Sequence, residues 1–258
     1  MEIIVRENAQ EMSKAAARVV AKLLNNKPDA VLGLVTGSTP IGLYKELVRM
    51  HKEESLDFSQ VTTFNLDEYV GLPQQHPQSH YYFMHENFFK HVNIPKHRIY
   101  LPSGTTDNYE AFCQWYERRI KECGGIDLQI LGIGTEGNIA GNEPASSLGS
   151  RTRIKTLTKQ SIEDKLQCFD SHEQMPTYAI TMGVGTILEA RKLLLIANGK
   201  QKASAVAMAV EGPLTSMVTA SALQLHEDAT FIIDREAAGG LQRLDYYEWI
   251  QRKMPKSS

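Results

Sequence analysis

Long basic runs, long apolar runs and paired cysteines are all missing from this 258-residue chain, and each absence closes off a class of function. The formal charge is -2 and no stretch of Lys/Arg stands out, which argues against a general nucleic-acid or anionic-membrane surface. Any phosphate the chain binds then belongs in a local pocket. No apolar run approaches the roughly 20 residues of a membrane-spanning helix. The opening MEIIVRENAQEMSK becomes charged before a signal-peptide core could develop, so the expected location is the cytoplasm. Cys113, Cys123 and Cys168 form neither a CxxC pair nor an even disulfide set, which fits a reducing compartment and buried or idle thiols. The eight histidines (51, 76, 80, 85, 91, 97, 172 and 226) show no metal-ligand spacing and read as packing or surface residues. A GxSxG elbow is absent too, leaving a serine hydrolase without support.

What is present is an ordinary globular composition, 42% apolar and 22% charged, with ten Pro and eighteen Gly dispersed along the chain. Short β-branched runs alternate with longer segments of helical spacing, the pattern of parallel strands joined by crossover helices. Strands are expected at Ala30 to Leu34, Val61 to Leu66, Ile126 to Leu131, Thr152 to Leu157, Lys192 to Ala197 and Thr230 to Ile233. Most lack in-out alternation, as strands covered on both faces do. Helices are expected at Glu11 to Leu24, Ile41 to Lys52, Ser79 to His91, Tyr109 to Cys123 and Gln201 to Glu211. The fold class is therefore α/β: a single-domain, Rossmann-like open parallel sheet with helices on both faces, spanning residues 1–258. Residues 158–176, with mixed charge and little periodicity, read as a mobile flap.

Three segments and one lysine carry the chemistry. Thr36-Gly37-Ser38-Thr39-Pro40 follows a strand and opens a helix, so free backbone N–H groups and hydroxyls meet at a site suited to an anion. An ordinary capped helix start is the alternative. Asn65-Leu66-Asp67-Glu68-Tyr69 sits at a strand's carboxyl end, where open parallel sheets bind ligands. A carboxylate there suits proton transfer between adjacent sugar carbons, unless Asp67 or Glu68 merely caps the next turn. Gly132-Ile133-Gly134-Thr135-Glu136-Gly137 matches GxGxxG, but it lies in mid-chain, Pro144 interrupts any helix, and the next strand ends in no acid for a ribose. A tight loop presenting Glu136, Asn138 and Glu143 explains it better than dinucleotide binding. Lys202 opens a helix after another strand and either reaches a phosphate or is simply solvated.

Taken in order, TGSTP, FNLDEYVGLP with HPQSHYYFM, NEPASSLGSRTRIKTL, and TMGVGTILEA with SALQLH resemble the glucosamine-6-phosphate deaminase family over residues 30–235. The resemblance implies conversion of glucosamine 6-phosphate to fructose 6-phosphate and ammonia, with no cofactor and no metal. It makes Asp67 the base and assigns the phosphate to Thr36, Gly37, Ser38 and Lys202; Thr39, through its hydroxyl, and Gly137 are further substrate-binding candidates. Where relatives resemble DGHIAFNEP, this chain reads EGNIAGNEP: Glu136 replaces an aspartate, Asn138 the ring-opening histidine and Gly141 a phenylalanine, while Glu143 is kept. An amide does not titrate near neutral pH, so Asn138 cannot be that acid/base. In the flap Gln167 replaces a phosphate-gripping arginine, and Val35 replaces a proline. The family's N-acetylglucosamine 6-phosphate regulatory site maps to Ser146, Arg153, Lys155 and Thr156, with Tyr246 a weaker match. The resemblance also implies a homo-oligomer, commonly a hexamer.

The departures leave readings from different classes. One is an amino-sugar phosphate deaminase in which Glu136 or Glu143 takes over proton handling, or solvent opens the ring. Another is a non-catalytic sugar-phosphate sensor or partner subunit. A third is a phosphogluconolactonase-like hydrolase.

Overall fold

The computed structural model describes residues 1–166 and 175–253. The chain runs β1 (Glu2–Arg6), α1 (Ala9–Asn26), β2 (Val31–Leu34), α2 (Ile41–Glu53), β3 (Thr62–Asn65), β4 (Asp67–Tyr69) and α3 (His80–Asn87). It continues through β5 (Ile99–Tyr100), α4 (Tyr109–Glu122), β6 (Leu128–Leu131), β7 (Arg153–Thr156), α5 (Lys159–Leu166) and β8 (Tyr178–Thr181). Last come α6 (Val184–Leu188), β9 (Leu193–Ala197), α7 (Ala203–Val210), β10 (Ala229–Asp234) and α8 (Leu244–Lys253).

Seven strands pair in the order β1-β10-β9-β6-β2-β3-β5, all parallel. β2, β3, β6 and β9 are buried at every position, which is why their sequences show no alternation. From β2 the chain winds outward to β3 and β5, then returns to β6 on β2's other side and continues through β9 to β10. Between β2 and β6 the winding reverses, and the carboxyl ends of neighbouring strands there leave a crevice.

The helices pack where their apolar stripes demand. In α1, Met12, Ala16, Val20 and Leu24 recur at four-residue steps and are buried. Asn8 starts the helix by accepting the Glu11 N–H at 3.0 Å. Over β3, the Tyr116 ring of α4 meets Phe64 edge-on at 5.5 Å, and its hydroxyl donates to the Asn65 carbonyl.

The structure adds what the sequence pattern did not give. β4, β8 and β7 form a second, antiparallel sheet, so Thr152 to Leu157 does not join the parallel sheet. In β7, Arg153 and Lys155 share one face and Ile154 and Thr156 the other, the latter pair being the more exposed. The helix expected over Ser79 to His91 breaks at Phe88 into α3 and a 3-10 turn, Phe89–His91. Part of the expected flap is helix α5, and residues 167–174 lie outside the described residues.

Glu117 of α4 ties the two sheets together. Its carboxylate accepts the Thr152 N–H at 2.8 Å and the Thr152 and Thr186 hydroxyls at 2.6 Å each, and it pairs with Arg151. Burial is the largest influence and pushes its pKa up, but these hydrogen bonds outweigh it and hold the group below the ordinary carboxylate range. A depressed folded-state pKa adds stability above the unfolded value of about 4.3, and that stability drains away as pH falls through the folded value. Glu117→Gln is therefore expected to lower the unfolding free energy at pH 7 by about 1–3 kcal/mol. It should also flatten the acid limb of stability against pH in denaturant titrations. An unchanged acid limb would place the linkage elsewhere.

Candidate active site

The carboxyl ends of β2, β3, β6 and β9 open into one cavity of about 450 Å³. Thr36, Gly37, Ser38 and Thr39 line it after β2, and Asp67 beyond β3. Glu136, Asn138 and Glu143 enter after β6, and Lys202 after β9. From β3 to β9 there are three strand spacings, ~14 Å at the backbone. Asp67 and Lys202 thus enter from the two sides of the crevice, with the hydroxyl loop and the glycine loop between them.

Each group is held by a local device. Gly37 has φ +118° with open space where a Cβ would stand, so the loop turns without a side chain over the cavity. α2 starts at Pro40 with no side-chain cap, so the Ser38 and Thr39 hydroxyls are not spent on the helix start. At the end of β10, buried Asp234 accepts the Gly199 N–H at 3.0 Å and the Ala237 N–H at 2.8 Å. That pins the turn leading into Lys202.

Asp67 and Glu68 separate into different roles. Glu68 is buried and accepts the backbone N–H groups of Tyr69, His80 and Tyr81 at 2.8, 3.0 and 3.0 Å, which anchors the first turn of α3. Asp67, one residue earlier on β4, points the opposite way into the cavity. Its Oδ1 is 2.8 Å from His80 Nδ1, and the same nitrogen is 2.9 Å from the Asp67 carbonyl oxygen.

The glycine loop opens no helix between β6 and β7, whereas a dinucleotide-binding loop would open one. Asn138 folds back onto it: its carbonyl accepts the Gly134 N–H at 2.8 Å, and its amide reaches the Ala140 carbonyl at 3.5 Å. The Gly141 N–H donates to the Thr181 hydroxyl at 3.0 Å. Thr158, which caps α5 by accepting the Ser161 N–H at 3.1 Å, sits 3.3 Å from a Glu136 oxygen and 3.4 Å from a Glu143 oxygen. One hydroxyl proton serves two carboxylates, and the base of the expected flap is tied to both.

Not every predicted residue reaches this cavity. Gly137 is buried with φ +80°, and a Cβ there would stand 2.6 Å from Val218, so its glycine is required by packing rather than by the cavity surface. Gln167 lies outside the described residues. Ser146, Arg153, Lys155 and Thr156 lie away from the cavity, on β7 and the loop before it, while Tyr246 is exposed on α8, which packs on the edge strand β1. A more open groove of about 650 Å³ between α4 and residues 151–154 includes Arg153 but none of the predicted catalytic residues. The sequence reading missed His80 and Thr158. HPQSHYYFM placed His80 at a helix start beside DEY, but neither its distance to Asp67 nor the Thr158 bridge has a sequence signature.

The family of glucosamine-6-phosphate isomerases/6-phosphogluconolactonase matches residues 5–232. The glucosamine-6-phosphate deaminase of Thermoanaerobacter sp. (strain X514) is 50% identical over 238 residues, 92% of this chain and 94% of that protein. A solved structure of a monomeric glucosamine-6-phosphate deaminase superposes with a TM-score of 0.91 at 43% identity, over 93% of this chain and 100% of that one. The 6-phosphogluconolactonase of Leishmania guyanensis shares the fold, with a TM-score of 0.73 at 21% identity over 93% of this chain and 98% of that one. On the family match and the 50% identity along most of its length, the chain belongs to the glucosamine-6-phosphate isomerase/6-phosphogluconolactonase family.

Proposed function

We propose that the chain is a glucosamine-6-phosphate deaminase acting on the open-chain sugar, with Asp67 as the base. The observation that carries this reading is the meeting, in one cavity, of a single outward carboxylate at β4, the uncapped hydroxyl loop at α2 and the cation at Lys202. Thr36, Gly37, Ser38, Thr39 and Lys202 hold the phosphate. Asp67 removes the proton from C2 of the amino aldehyde and a proton is delivered to C1, while one N–H proton passes to O1, leaving a C1 hydroxyl and an imine at C2. Water adds there, and fructose 6-phosphate and ammonia leave, so one substrate and one water account for both products.

Ring opening is the step this chain handles differently. Asn138 does not move a proton, so the transfer at the ring oxygen falls to Glu136 or Glu143, whose carboxylates share the Thr158 hydroxyl, or to solvent. Relatives at about half identity carry the deaminase name and the lactonase neighbours share only the fold, so deamination is favoured over lactone hydrolysis. The Asn138 amide is the one observation that favours a second reading, a sugar-phosphate sensor.

The same proposal extends to regulation and assembly. Ser146 Oγ and Arg153 Nη2 are buried and find no hydrogen-bond partner among the described residues, and burial disfavours the Arg153 charge. Both features suit an anionic group such as the phosphate of N-acetylglucosamine 6-phosphate, with Lys155 and Thr156 alongside. Tyr246 and Trp249 are exposed on α8 and support a homo-oligomer. A single-domain protein in a reducing cytoplasm completes the reading, and no helix among the described residues is long and apolar enough to cross a membrane.

Ammonia and fructose 6-phosphate are expected in equal amounts from glucosamine 6-phosphate, with kcat raised ~10²-fold in Asn138→His by restored acid–base transfer. Saturable sugar-phosphate binding with no product from either protein would favour the sensor. Lys202→Ala is expected to raise KM by an order of magnitude or more, since charge-assisted contacts to phosphate are about twice as strong as neutral ones. An unchanged KM would remove Lys202 from the phosphate site.

A further inference from the structure

Asp67 is paired with an imidazole that the reaction sequence above leaves unused. His80 is the first residue of α3 and is largely buried, and its Nδ1 faces two oxygens of Asp67, the carboxylate Oδ1 at 2.8 Å and the backbone carbonyl at 2.9 Å. A carbonyl oxygen and an ionised carboxylate only accept, so the proton between them belongs to Nδ1. The ring lies 4.7 Å from that of Tyr69, and the backbone N–H is held by Glu68 Oε1 at 3.0 Å. The imidazole is thus fixed from its backbone, from its ring face and from Nδ1.

That arrangement links two ionisations. With the imidazole neutral, Nδ1–H orients the Asp67 carboxylate and leaves it basic. With the imidazole protonated, a full positive charge stands 2.8 Å from the same oxygen and stabilises the carboxylate, which weakens it as a base. Of the other ionisable groups around the pair, Tyr116 of α4 is pushed well above the ordinary phenol range by burial, with the Asp67 charge adding to it, so it stays neutral where an imidazole titrates. Glu68 faces the α3 backbone, Tyr69 packs against the ring, and His76 lies in the preceding loop. Glu136, Glu143 and Lys202 line the cavity from other strand ends, and buried Tyr44 of the neighbouring α2 is committed to the Val35 carbonyl.

We propose that His80 is a positioning residue for Asp67 that orients the carboxylate through Nδ1–H and makes its basicity depend on the protonation of the imidazole. The kinetic consequence rests on Asp67 being the base, as set out under the proposed function, whereas the coupling itself does not. The carboxylate–imidazole pair acts as one proton-sharing unit. Activity then rises as the imidazole loses its proton, in the neutral range, rather than with the carboxylate alone near pH 4.

Two measurements on the full chain test it. In nitrogen-15 NMR titrations without substrate, neutral His80 is expected as the Nδ1–H tautomer, and Asp67→Asn is expected to lower its midpoint by about one pH unit or more. An Nε2–H tautomer, or a midpoint that Asp67→Asn does not move, overturns the pairing. In kcat/KM for ammonia release against pH, the acid limb of the natural chain should follow the His80 midpoint. In His80→Gln, whose amide still donates to Asp67 but does not titrate, that limb should move down into the carboxylate range. The Gln variant is expected to fold, because Ser79 and Glu68 hold the start of α3 without the imidazole. An acid limb identical in both proteins overturns the kinetic role. If no ammonia is released at any pH, the deaminase reading fails, and the NMR titration alone decides whether the pair exists.

Discussion

Everything at the candidate site depends on the reversal of winding between β2 and β6. Strands on one side of that line are reached by crossovers in one direction, and strands on the other side by crossovers in the opposite direction. Crossovers that diverge in this way leave a crevice at the carboxyl ends between them. The crevice is therefore a product of topology, and the loops after β2, β3, β6 and β9 fill it with whatever chemistry their sequences carry. The four strands are buried at every position and supply the rigid base from which those loops project.

The charges within the crevice are kept distinct by spending neighbouring ones on structure. Glu68 is consumed by three backbone N–H groups at the start of α3, which lets the adjacent Asp67 face the cavity. Asp234 is spent on the turn before Lys202. Glu136 and Glu143 meet at Thr158, the residue that opens α5. Thr158 thus ties the start of that helix to both carboxylates.

Much of this was legible in the sequence, for identifiable reasons. Core strands such as Leu193–Ala197 are continuous apolar runs, and TGSTP between a strand and a helix carries its own anion-binding logic. Other features were not legible. β4 and β8 are short, and they pair across more than a hundred residues, so no local periodicity reports the antiparallel sheet. The sequence offered capping and catalysis as alternatives for Asp67 and Glu68. In the structure Glu68 holds the start of α3 and Asp67 faces the cavity, because successive strand residues point to opposite faces. Gly137 looked like part of the site because its motif did, yet its conformation answers to Val218. His80 looked like one histidine among eight, and only the fold sets it against Asp67.

The most direct test is a crystal structure of the protein with glucosamine 6-phosphate bound. The account predicts the phosphate on the loop of residues 36–39 within reach of Lys202, with C2 beside the Asp67 carboxylate and the ring oxygen toward Glu136, Asn138 and Glu143. A sugar whose phosphate lies elsewhere, or whose C2 faces away from Asp67, would contradict it.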